Sequence, residues 1–346
     1  MVRIGMIGAG FFSQVVHLYA IDKIKQCQIV ALAEGREKMC AAVAEQYRIP
    51  QIFNTYEAML SEVKLDAAVI SLPRPCLGPA TLKCLEAGIP VLSEKPMAQT
   101  VKDAKRLVEA ATANHIPYYV GLMRRSDAGV MLFKEKLHEW IHEGHYGPIQ
   151  HVMMHNFCGE YGTAIPAHIP RGEKANARYP AWQTAPDHFP EVFRKDYEYT
   201  TNVLVHDLNL LRHVFDQDFK PQAFHVTPGI SQAAILASEQ FSVSLNVGPA
   251  AIGKWDQVLT AYFNKGRLSL HLPSPLARQE LAYVEEATAA HTVIHRPDHK
   301  TEKWAFEKQI EFFVDALQGK PTPLSTGADS LKDLEMIEAL WQHMSL

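Results

Sequence analysis

Short apolar segments alternate with helix-compatible segments through the first third of the chain, and this alternation restricts the fold more than any other feature. It starts at Val2–Ile7, an apolar strand that runs into a glycine turn and then into helix-compatible sequence as far as Ile21. The same pattern predicts further strands at 28–33, 52–53, 66–71, 91–92 and 118–121, and helices at 38–47, 56–61, 79–87 and 101–115. Strands and helices that alternate at this spacing predict a doubly wound parallel sheet with right-handed crossovers.

The glycine turn has the context that a dinucleotide fingerprint requires, with a strand before it and a helix after it. The first glycine permits a tight turn, the second lets the backbone approach a pyrophosphate, and the free N–H groups of the helix start attract its charge. Ser13 stands at the third fingerprint position and is small enough for close packing of helix on strand. The residues predicted to contact a cofactor at this turn are Gly8, Gly10, Phe11, Phe12 and Ser13.

An acidic residue, Glu34, ends the second predicted strand. A carboxylate at this place can accept hydrogen bonds from the adenosine ribose, which favours NAD over NADP. Arg36 favours the opposite choice, because a guanidinium can pair with a 2′-phosphate, although a solvated residue at a helix start explains it equally well. The predicted cofactor is therefore NAD or NADP, with Glu34 favouring NAD. Ser71 and Pro73, at the end of the 66–71 strand, are predicted to lie at the same sheet edge.

A second group of polar residues, Glu94-Lys95-Pro96, lies where the strand at 91–92 ends and before the helix at 101–115. In isolation this would be explained by a surface ion pair in a loop. The glycine turn and Glu34 lie on the same edge of the predicted sheet, the edge where such sheets bind ligands. We therefore predict that Glu94, Lys95 and Pro96 contact the cofactor. Lys95, which can place a charge or move a proton, is also predicted to have a catalytic role.

The pattern changes after Gly121, so we predict domains at 1–122 and 123–346, with helices at 304–346 closing the second. A charged crossover holds Arg124 and Arg125, which either recognise a phosphate or carboxylate of the substrate or form solvated ion pairs. Beyond it we expect a helix at about 129–142, a strand at 149–157 and an antiparallel sheet within 221–272. The stretch from Cys158 to about Tyr197 has no periodicity; it either covers a substrate site or is a surface excursion or oligomer contact.

Apolar residues recur at helical spacing in the segment 200–215. Asn202 and His206 lie four residues apart, so both are expected to project from one face of the helix.

Composition excludes several classes of protein. With a net charge of -4 the chain has no basic surplus for nucleic acid or an anionic membrane, and no apolar run approaches the roughly 20 residues of a spanning helix. The five cysteines are scattered without a CxxC pair, and His138 and His142 lack an HExxH context, so no metal is predicted. His291, His295 and His299 also lie four residues apart, but Pro297 would interrupt a helix there, so they are assigned to a loop. We expect a cytoplasmic protein.

Four features stand in order along the chain: GAGFFS, EKP, GLMRRSDAG and the helix in which His206 precedes DLNLLRHVF. In this order the chain resembles the glucose–fructose oxidoreductase / inositol dehydrogenase / MocA family. The resemblance implies an N-terminal Rossmann domain and a C-terminal α/β domain with a large, mostly antiparallel open sheet. It also implies NAD(P)-dependent oxidation of a hydroxyl, or reduction of a ketone, on a sugar, cyclitol or sugar derivative. Homodimers or homotetramers would form through the open sheet.

By this resemblance, Lys95 matches the family lysine that contacts the reacting hydroxyl and the nicotinamide ribose, and His206 matches the catalytic histidine. Asn202 stands where the family usually has an aspartate. An amide can orient a hydroxyl but cannot accept its proton, so His206 is predicted to be the proton acceptor. Two alternatives remain open: a redox-silent, dinucleotide-binding regulator, and an enzyme that recycles tightly bound NAD.

Overall fold

The computed structural model of the protein describes residues 1–159, 167–170, 172, 174, 179–249 and 255–345. The strands, in chain order, are β1 (Val2–Ile7), β2 (Cys27–Ala33), β3 (Gln51–Phe53), β4 (Ala67–Ile70), β5 (Val91–Glu94), β6 (Tyr118–Gly121), β7 (Ile149–Cys158), β8 (Lys220–Thr227), β9 (Ser231–Ala237), β10 (Ser242–Pro249), β11 (Asp256–Phe263), β12 (Gly266–Leu272), β13 (Tyr283–Thr288), β14 (Thr292–His295), β15 (Ser325–Thr326) and β16 (Met344–Ser345).

The α-helices are α1 (Tyr19–Asp22), α2 (Glu37–Tyr47), α3 (Tyr56–Glu62), α4 (Arg74–Glu86), α5 (Val101–Ala113), α6 (Ala128–Glu143), α7 (Arg194–Tyr199), α8 (Val205–Phe215), α9 (Ala305–Leu317) and α10 (Gly327–Gln342). Two π-helical segments precede α1 and α8, at Ser13–Leu18 and Thr200–Leu204. Short 3₁₀ turns lie at Met123–Ser126 and Glu191–Phe193. Among the described residues, no helix is long and apolar enough to cross a membrane.

The chain forms two compact units, and the first combines Met1–Met123, Pro166–His188 and Phe306–Leu334. Its sheet has the order β15-β6-β5-β4-β1-β2-β3, in which β1 to β6 are parallel. The strand order reverses between β1 and β4, which is the switch point of a Rossmann sheet. The predicted doubly wound sheet is confirmed.

The division of the chain differs from the predicted one in its C-terminal part. The first boundary falls at Met123, close to the prediction, but the helix α9, assigned from the sequence to the second domain, belongs to the first unit. Its buried residues Ile310, Phe313 and Val314 join the same core as the sheet residues Met6 and Leu32. The strand β15 then adds an antiparallel edge to β6. The amphipathic helix α9 therefore covers the sheet of the first unit. The sequence did not indicate this contact, because α9 lies far from the strands of that sheet along the chain.

A second returning segment, which we call the strap, consists of the described residues within 167–188. The Trp182 backbone N–H donates to the Pro75 carbonyl at 2.8 Å, and the Trp182 ring occupies the space beside Gly78, where a Cβ would come within 2.2 Å of it. The Arg106 guanidinium lies 4.4 Å above the same ring. Part of the stretch predicted to lack structure thus packs on the first unit, and its last residues form α7.

The second unit comprises Arg124–Ile165, Phe189–Ala305 and Glu335–Leu346. Among its described residues, the strands have the order β14-β13-β12-β11-β7-β10-β9-β8-β16 and pair mostly antiparallel, as predicted, with parallel pairing of β10 on β7 and of β16 on β8. Buried and exposed residues alternate along β9: Gln232, Ala234 and Leu236 are buried, whereas Ala233 is partly exposed and Ile235 is exposed.

Three local expectations need correction. The helix predicted at 79–87 spans Arg74–Glu86: Pro75 is tolerated in its first turn, where it loses no hydrogen bond, and Pro79, taken as its start, lies inside it. The strand predicted at 91–92 continues to Glu94. Of the three histidines assigned to a loop, His295 is the last residue of β14, where its Nε2 lies 3.0 Å from Glu286 Oε2 of β13, whereas His291 and His299 lie outside the strand.

Candidate active site

The turn after β1 brings two strands of the first unit too close together for any side chain. Gly8 has a φ of 96°, and a Cβ on it would lie 2.2 Å from the Ser71 carbonyl oxygen at the end of β4. Ser13 Oγ donates to that same oxygen at 3.2 Å. Among the described residues, a Cβ on Gly10 would come within 4 Å only of the Arg36 side chain, at 3.9 Å. The first glycine is thus required by the strand packing, while the second leaves open space beside the backbone.

That space is part of a cavity of about 380 Å³ at the carboxyl edge of the sheet. Most of the predicted cofactor residues line it: Gly8, Gly10, Phe11, Phe12, Ser13, Glu34, Arg36, Ser71 and Pro73. The residues that the sequence did not indicate are Met39, Leu72, His168, Ile169 and Tyr179. Residues that the sequence predicts at one edge of the sheet therefore line one cavity in the structure.

The carboxylate of Glu34 is held by four N–H groups. Its Oε2 accepts from the Ala9 backbone at 2.8 Å and from the Arg36 guanidinium at 2.7 Å. Its Oε1 accepts from the Arg36 backbone at 3.1 Å and from Arg36 Nε at 2.7 Å. An ionised carboxylate offers about four acceptor positions, so those of Glu34 are filled by the protein itself. Glu34 and Arg36, which favour different cofactors in the sequence analysis, therefore form a bidentate ion pair with each other.

The strap supplies the remaining side of the cavity. Gln14 and Ile169 exchange two hydrogen bonds, from Ile169 N to Gln14 Oε1 at 2.8 Å and from Gln14 Nε2 to Ile169 O at 3.1 Å. The Tyr179 hydroxyl accepts from the Gly35 backbone at 3.1 Å, and its ring stacks on that of Tyr56. These contacts join residues far apart in the chain, from a stretch without periodicity, so no sequence signal indicated them.

Glu94 and Lys95 lie at the end of β5, and neither they nor Pro96 line this cavity. Glu94 was predicted to contact the cofactor, but its side chain is buried and lies 2.9 Å from His17 Nε2. His17 belongs to the π-helical segment that follows the glycine turn. Lys95 is partly exposed. Its catalytic role stays a prediction.

In the second unit, Asn202 lies on the π-helical segment and His206 in the first turn of α8. Both are partly exposed, whereas Leu204, Val205 and Asp207 between and beside them are buried. This is the pattern expected if both polar side chains point to one side. Their catalytic roles stay predictions.

Asp207, directly after His206, anchors α8 to the sheet. Its carboxylate accepts from Asn156 Nδ2 of β7, at 3.2 and 3.0 Å, and from Gln257 Nε2 of β11 at 2.7 Å. Burial raises the pKa of Asp207 to about 7, and the hydrogen bonds from Asn156 and Gln257 only partly oppose this effect. Its hydrogen-bond partners on the sheet are neutral amides, and the charge of Arg124 also lowers the pKa without offsetting the effect of burial.

Arg124 and Arg125, predicted as weak substrate contacts, are both buried. Arg124 donates to Gln257 Oε1 and to the Pro273 carbonyl, each at 2.8 Å. Arg125 Nε donates to Asn209 Oδ1 of α8 at 2.6 Å. These contacts connect the crossover to the sheet and to α8, so they support a structural role, and substrate recognition by either residue stays a prediction.

Across the described part of the chain, no group of three or more His, Cys, Asp or Glu side chains is arranged to hold a metal ion.

Taken with the Rossmann strand order, the glycine turn at the switch point places the chain in the class of two-domain Rossmann-fold proteins. Residues 2–122 match the model of the oxidoreductase family with an NAD-binding Rossmann fold, known as GFO/IDH/MocA. The resemblance found in the sequence is confirmed for this N-terminal part of the chain, which is similar to the family.

Named relatives are dehydrogenases. The chain is 31% identical over 115 residues to a D-apiose dehydrogenase of Paraburkholderia graminis, across 33% of this chain and 30% of that protein. It is 26% identical over 220 residues to an inositol 2-dehydrogenase of Acidothermus cellulolyticus, across 63% and 55% of the two chains. The matched stretches thus span about a third and about half of these relatives.

A solved structure shares the fold over the whole chain. The 3-ketoreductase KijD10 of Actinomadura kijaniata, in complex with NADP and TDP-benzene, has a TM-score of 0.77 and 17% identity. The match covers 99% of this chain and 98% of that one. The expected combination of a Rossmann sheet with a large, mostly antiparallel sheet is confirmed.

Proposed function

We propose that the protein is an NAD(P)-dependent oxidoreductase that moves a hydride between a nicotinamide cofactor and a hydroxyl or ketone of a sugar, cyclitol or sugar derivative. The observation that carries this proposal is the cavity beside the glycine turn, lined by Glu34 and Arg36 at the carboxyl edge of the sheet. The family of the first domain supports the cofactor class. The dehydrogenases among the relatives support the substrate class.

The proposed roles of the chain's own residues follow the family resemblance. The nicotinamide, when bound, accepts or supplies the hydride. Lys95 holds the oxygen of the reacting group through its ammonium, and Asn202 orients the same group by hydrogen bonding without taking its proton. His206 accepts or returns that proton, since an imidazole exchanges protons near neutral pH.

The first test of this function is a fluorescence titration of the purified protein with NADH and, separately, NADPH. We expect saturable, micromolar binding of at least one. A panel of sugars and cyclitols then tests turnover with the better cofactor. If neither nucleotide binds and none is carried through purification, the dehydrogenase function is excluded.

The catalytic role of His206 is tested by His206→Ala. Loss of general acid–base catalysis is expected to lower kcat by about 10²–10⁴-fold, while the Kd for the cofactor stays within about twofold. The exposed His225→Ala serves as the control. Equal turnover in His206→Ala and the wild type would refute the assignment.

For the choice between NAD and NADP, we propose that Arg36 is the determinant. The acceptor positions of Glu34 are filled by Ala9 and Arg36, whereas the Arg36 guanidinium lines the cavity and can meet a 2′-phosphate. Arg36→Ala is expected to weaken NADPH binding by about tenfold and NADH binding much less. A larger loss for NADH would instead make Glu34, held in place by Arg36, the determinant.

A second candidate is an enzyme that keeps its NAD bound and recycles it. The strap favours it, because His168, Ile169 and Tyr179 close one side of the cavity. Cofactor that survives gel filtration with the protein would support this candidate. A redox-silent regulator, the other alternative, would bind NAD(P)H yet give no substrate-dependent change in its absorbance.

We also propose a homodimer or homotetramer formed through the partly exposed face of the large sheet. Met153 and Ile235 are 44% and 42% exposed and both pair in register with Ser244 between them. Light scattering is expected to give a dimeric or tetrameric mass for the wild type and a smaller one for Met153→Glu. The cytoplasmic location stays a prediction.

A further inference from the structure

A buried hydrogen bond links the π-helical segment after the glycine turn to β5, the strand that ends just before the candidate catalytic lysine. His17 Nε2 lies 2.9 Å from Glu94 Oε1, and the two side chains are only 1% and 9% exposed. Both residues belong to the first unit. A carboxylate this deeply buried is costly unless its oxygens are paired or hydrogen-bonded, so the contact is required for Glu94 to lie where it does.

The second oxygen of Glu94 is directed at the next residue. Glu94 Oε2 accepts from the Lys95 backbone N–H at 3.1 Å. One carboxylate therefore holds the imidazole of His17 with one oxygen and the backbone of Lys95 with the other. The rotation of Lys95 about its own backbone is restricted by this second bond.

The neighbouring strand limits the carboxylate further. A Cβ on Gly121 of β6 would lie 3.2 Å from Glu94 Oε1, so the glycine leaves just enough room for it. His17 Nδ1 is buried, with no hydrogen-bond partner among the described residues. A proton on Nδ1 would be unsatisfied there, so Nε2 is the nitrogen that carries the proton and donates to Glu94.

We propose that His17 and Glu94 are positioning residues for Lys95, and the proposal rests on the proposed oxidoreductase function. Neither lines the cavity beside the glycine turn. His17 fixes the Glu94 carboxylate, and Glu94 fixes the Lys95 backbone, so the lysine ammonium starts from a defined place relative to the glycine turn. Misplacement of a catalytic group by about 1 Å can cost as much as 10²-fold in rate, which makes such fixing functionally significant.

The test compares His17→Leu, which removes the donor, with His17→Gln, whose Nε2 can still donate to Glu94. We expect kcat with the most active compound of the sugar and cyclitol panel to fall by about tenfold in His17→Leu and to recover to within about threefold of wild type in His17→Gln. The Kd for NADH or NADPH is expected to stay within about threefold in both. His151→Gln, in the second unit, is the matched control and is expected to leave kcat unchanged.

The decisive arm repeats His17→Leu in a Lys95→Ala background. If His17 acts through Lys95, the substitution costs less than about twofold there, because the group that it positions is already gone. A loss of about tenfold in both backgrounds shows a general structural role and overturns the proposal, as does an unchanged kcat in His17→Leu. Should His17→Leu fail to fold, Glu94→Gln, which keeps the shape of the carboxylate, takes its place in both backgrounds.

The two proposals fail in different ways. A wild type that binds no nicotinamide cofactor, or turns over no compound of the panel, refutes the oxidoreductase function, and the positioning role falls with it. A wild type that turns over while His17→Leu and Glu94→Gln behave like the His151→Gln control refutes only the positioning role.

Discussion

Two buried carboxylates, one in each unit, directly precede or follow a candidate catalytic residue, and they are satisfied in different ways. Glu94, before Lys95, is bonded to an imidazole and to a backbone N–H. Asp207, after His206, is bonded to the side-chain amides of Asn156 and Gln257. Glu94 thus accepts from one imidazole N–H and one backbone N–H, whereas Asp207 accepts only from side-chain amides. Burial raises the pKa of Asp207 to about 7.

The difference shows that a buried carboxylate can hold a catalytic segment in place whether or not it keeps its own charge at neutral pH. Both carboxylates fix a segment, since each bonds to groups on other elements of its own unit. The Asp207 site, however, changes its charge close to neutral pH, because the effect of burial on its pKa exceeds the opposing effects of its amide hydrogen bonds and of the Arg124 charge. Stability measurements on the two sites can therefore separate the contribution of hydrogen bonding from that of charge.

The largest effect is expected from Asp207→Ala. The change leaves the amides of Asn156 and Gln257 without their acceptor inside the protein, so the free energy of unfolding should fall by about 3 kcal/mol. Urea unfolding followed by circular dichroism measures it. Glu239→Ala, at an exposed turn, is the control and should change stability by less than about 0.5 kcal/mol. A loss equal to that of the control would show that the network is not required.

A smaller effect is expected from pH. The folded pKa of Asp207, about 7, lies above the unfolded value of about 3.9, so between these values the folded state binds more protons than the unfolded one. The contribution of Asp207 to stability is full below pH 4 and is lost as pH rises through 7. From pH 5 to pH 7 the loss is about 2 kcal/mol.

Comparison with Asp207→Asn isolates this contribution, because the asparagine cannot ionise. The difference in unfolding free energy between wild type and Asp207→Asn should shift against the wild type as pH rises from 5 to 7 and change little above pH 8. A constant difference across this range would contradict a raised pKa at Asp207.

The smallest effect is the difference between two coupling energies. Double-mutant cycles pair His17→Leu with Glu94→Gln, and Asn156→Ala with Asp207→Asn. We expect a coupling of about 1.5 kcal/mol for the first pair and about 1 kcal/mol for the second, since a bond that a charged partner assists is the stronger. A larger coupling for the amide pair would reverse the comparison and assign the main stabilisation to the hydrogen bonds alone.

Much of the first unit could be predicted from local sequence. The alternation of strands and helices determined the parallel sheet, and the ends of β1 and β2 placed the glycine turn and Glu34 on one edge. Gly8 is required by its contact with Ser71, and a fingerprint read from the sequence detects that requirement without knowing its cause. Periodicity also indicated α8, because Leu208, Leu211 and Phe215 are buried at helical spacing.

The remaining features depend on contacts that local sequence does not encode. Glu94 was predicted to contact the cofactor because it follows an apolar strand at the ligand-binding edge of the sheet, whereas its side chain is bonded to His17, 77 residues earlier. Arg36 and Glu34 were considered separately, since nothing in a sequence shows that a side chain folds back on its neighbour. His168 and Tyr179 reach the cavity only through the strap.

The first unit is assembled from three separate pieces of the chain, and this has a consequence for synthesis on the ribosome. Its sheet is completed only when Ser325 pairs with Val120, about 200 residues after β6 has left the exit tunnel. Until α9 emerges, the apolar surface that Ile310, Phe313 and Val314 will cover stays exposed on the nascent chain. The N-terminal domain is synthesised first but is therefore among the last parts of this protein to complete its fold. A fragment that ends at residue 123 would lack the segments that complete this domain.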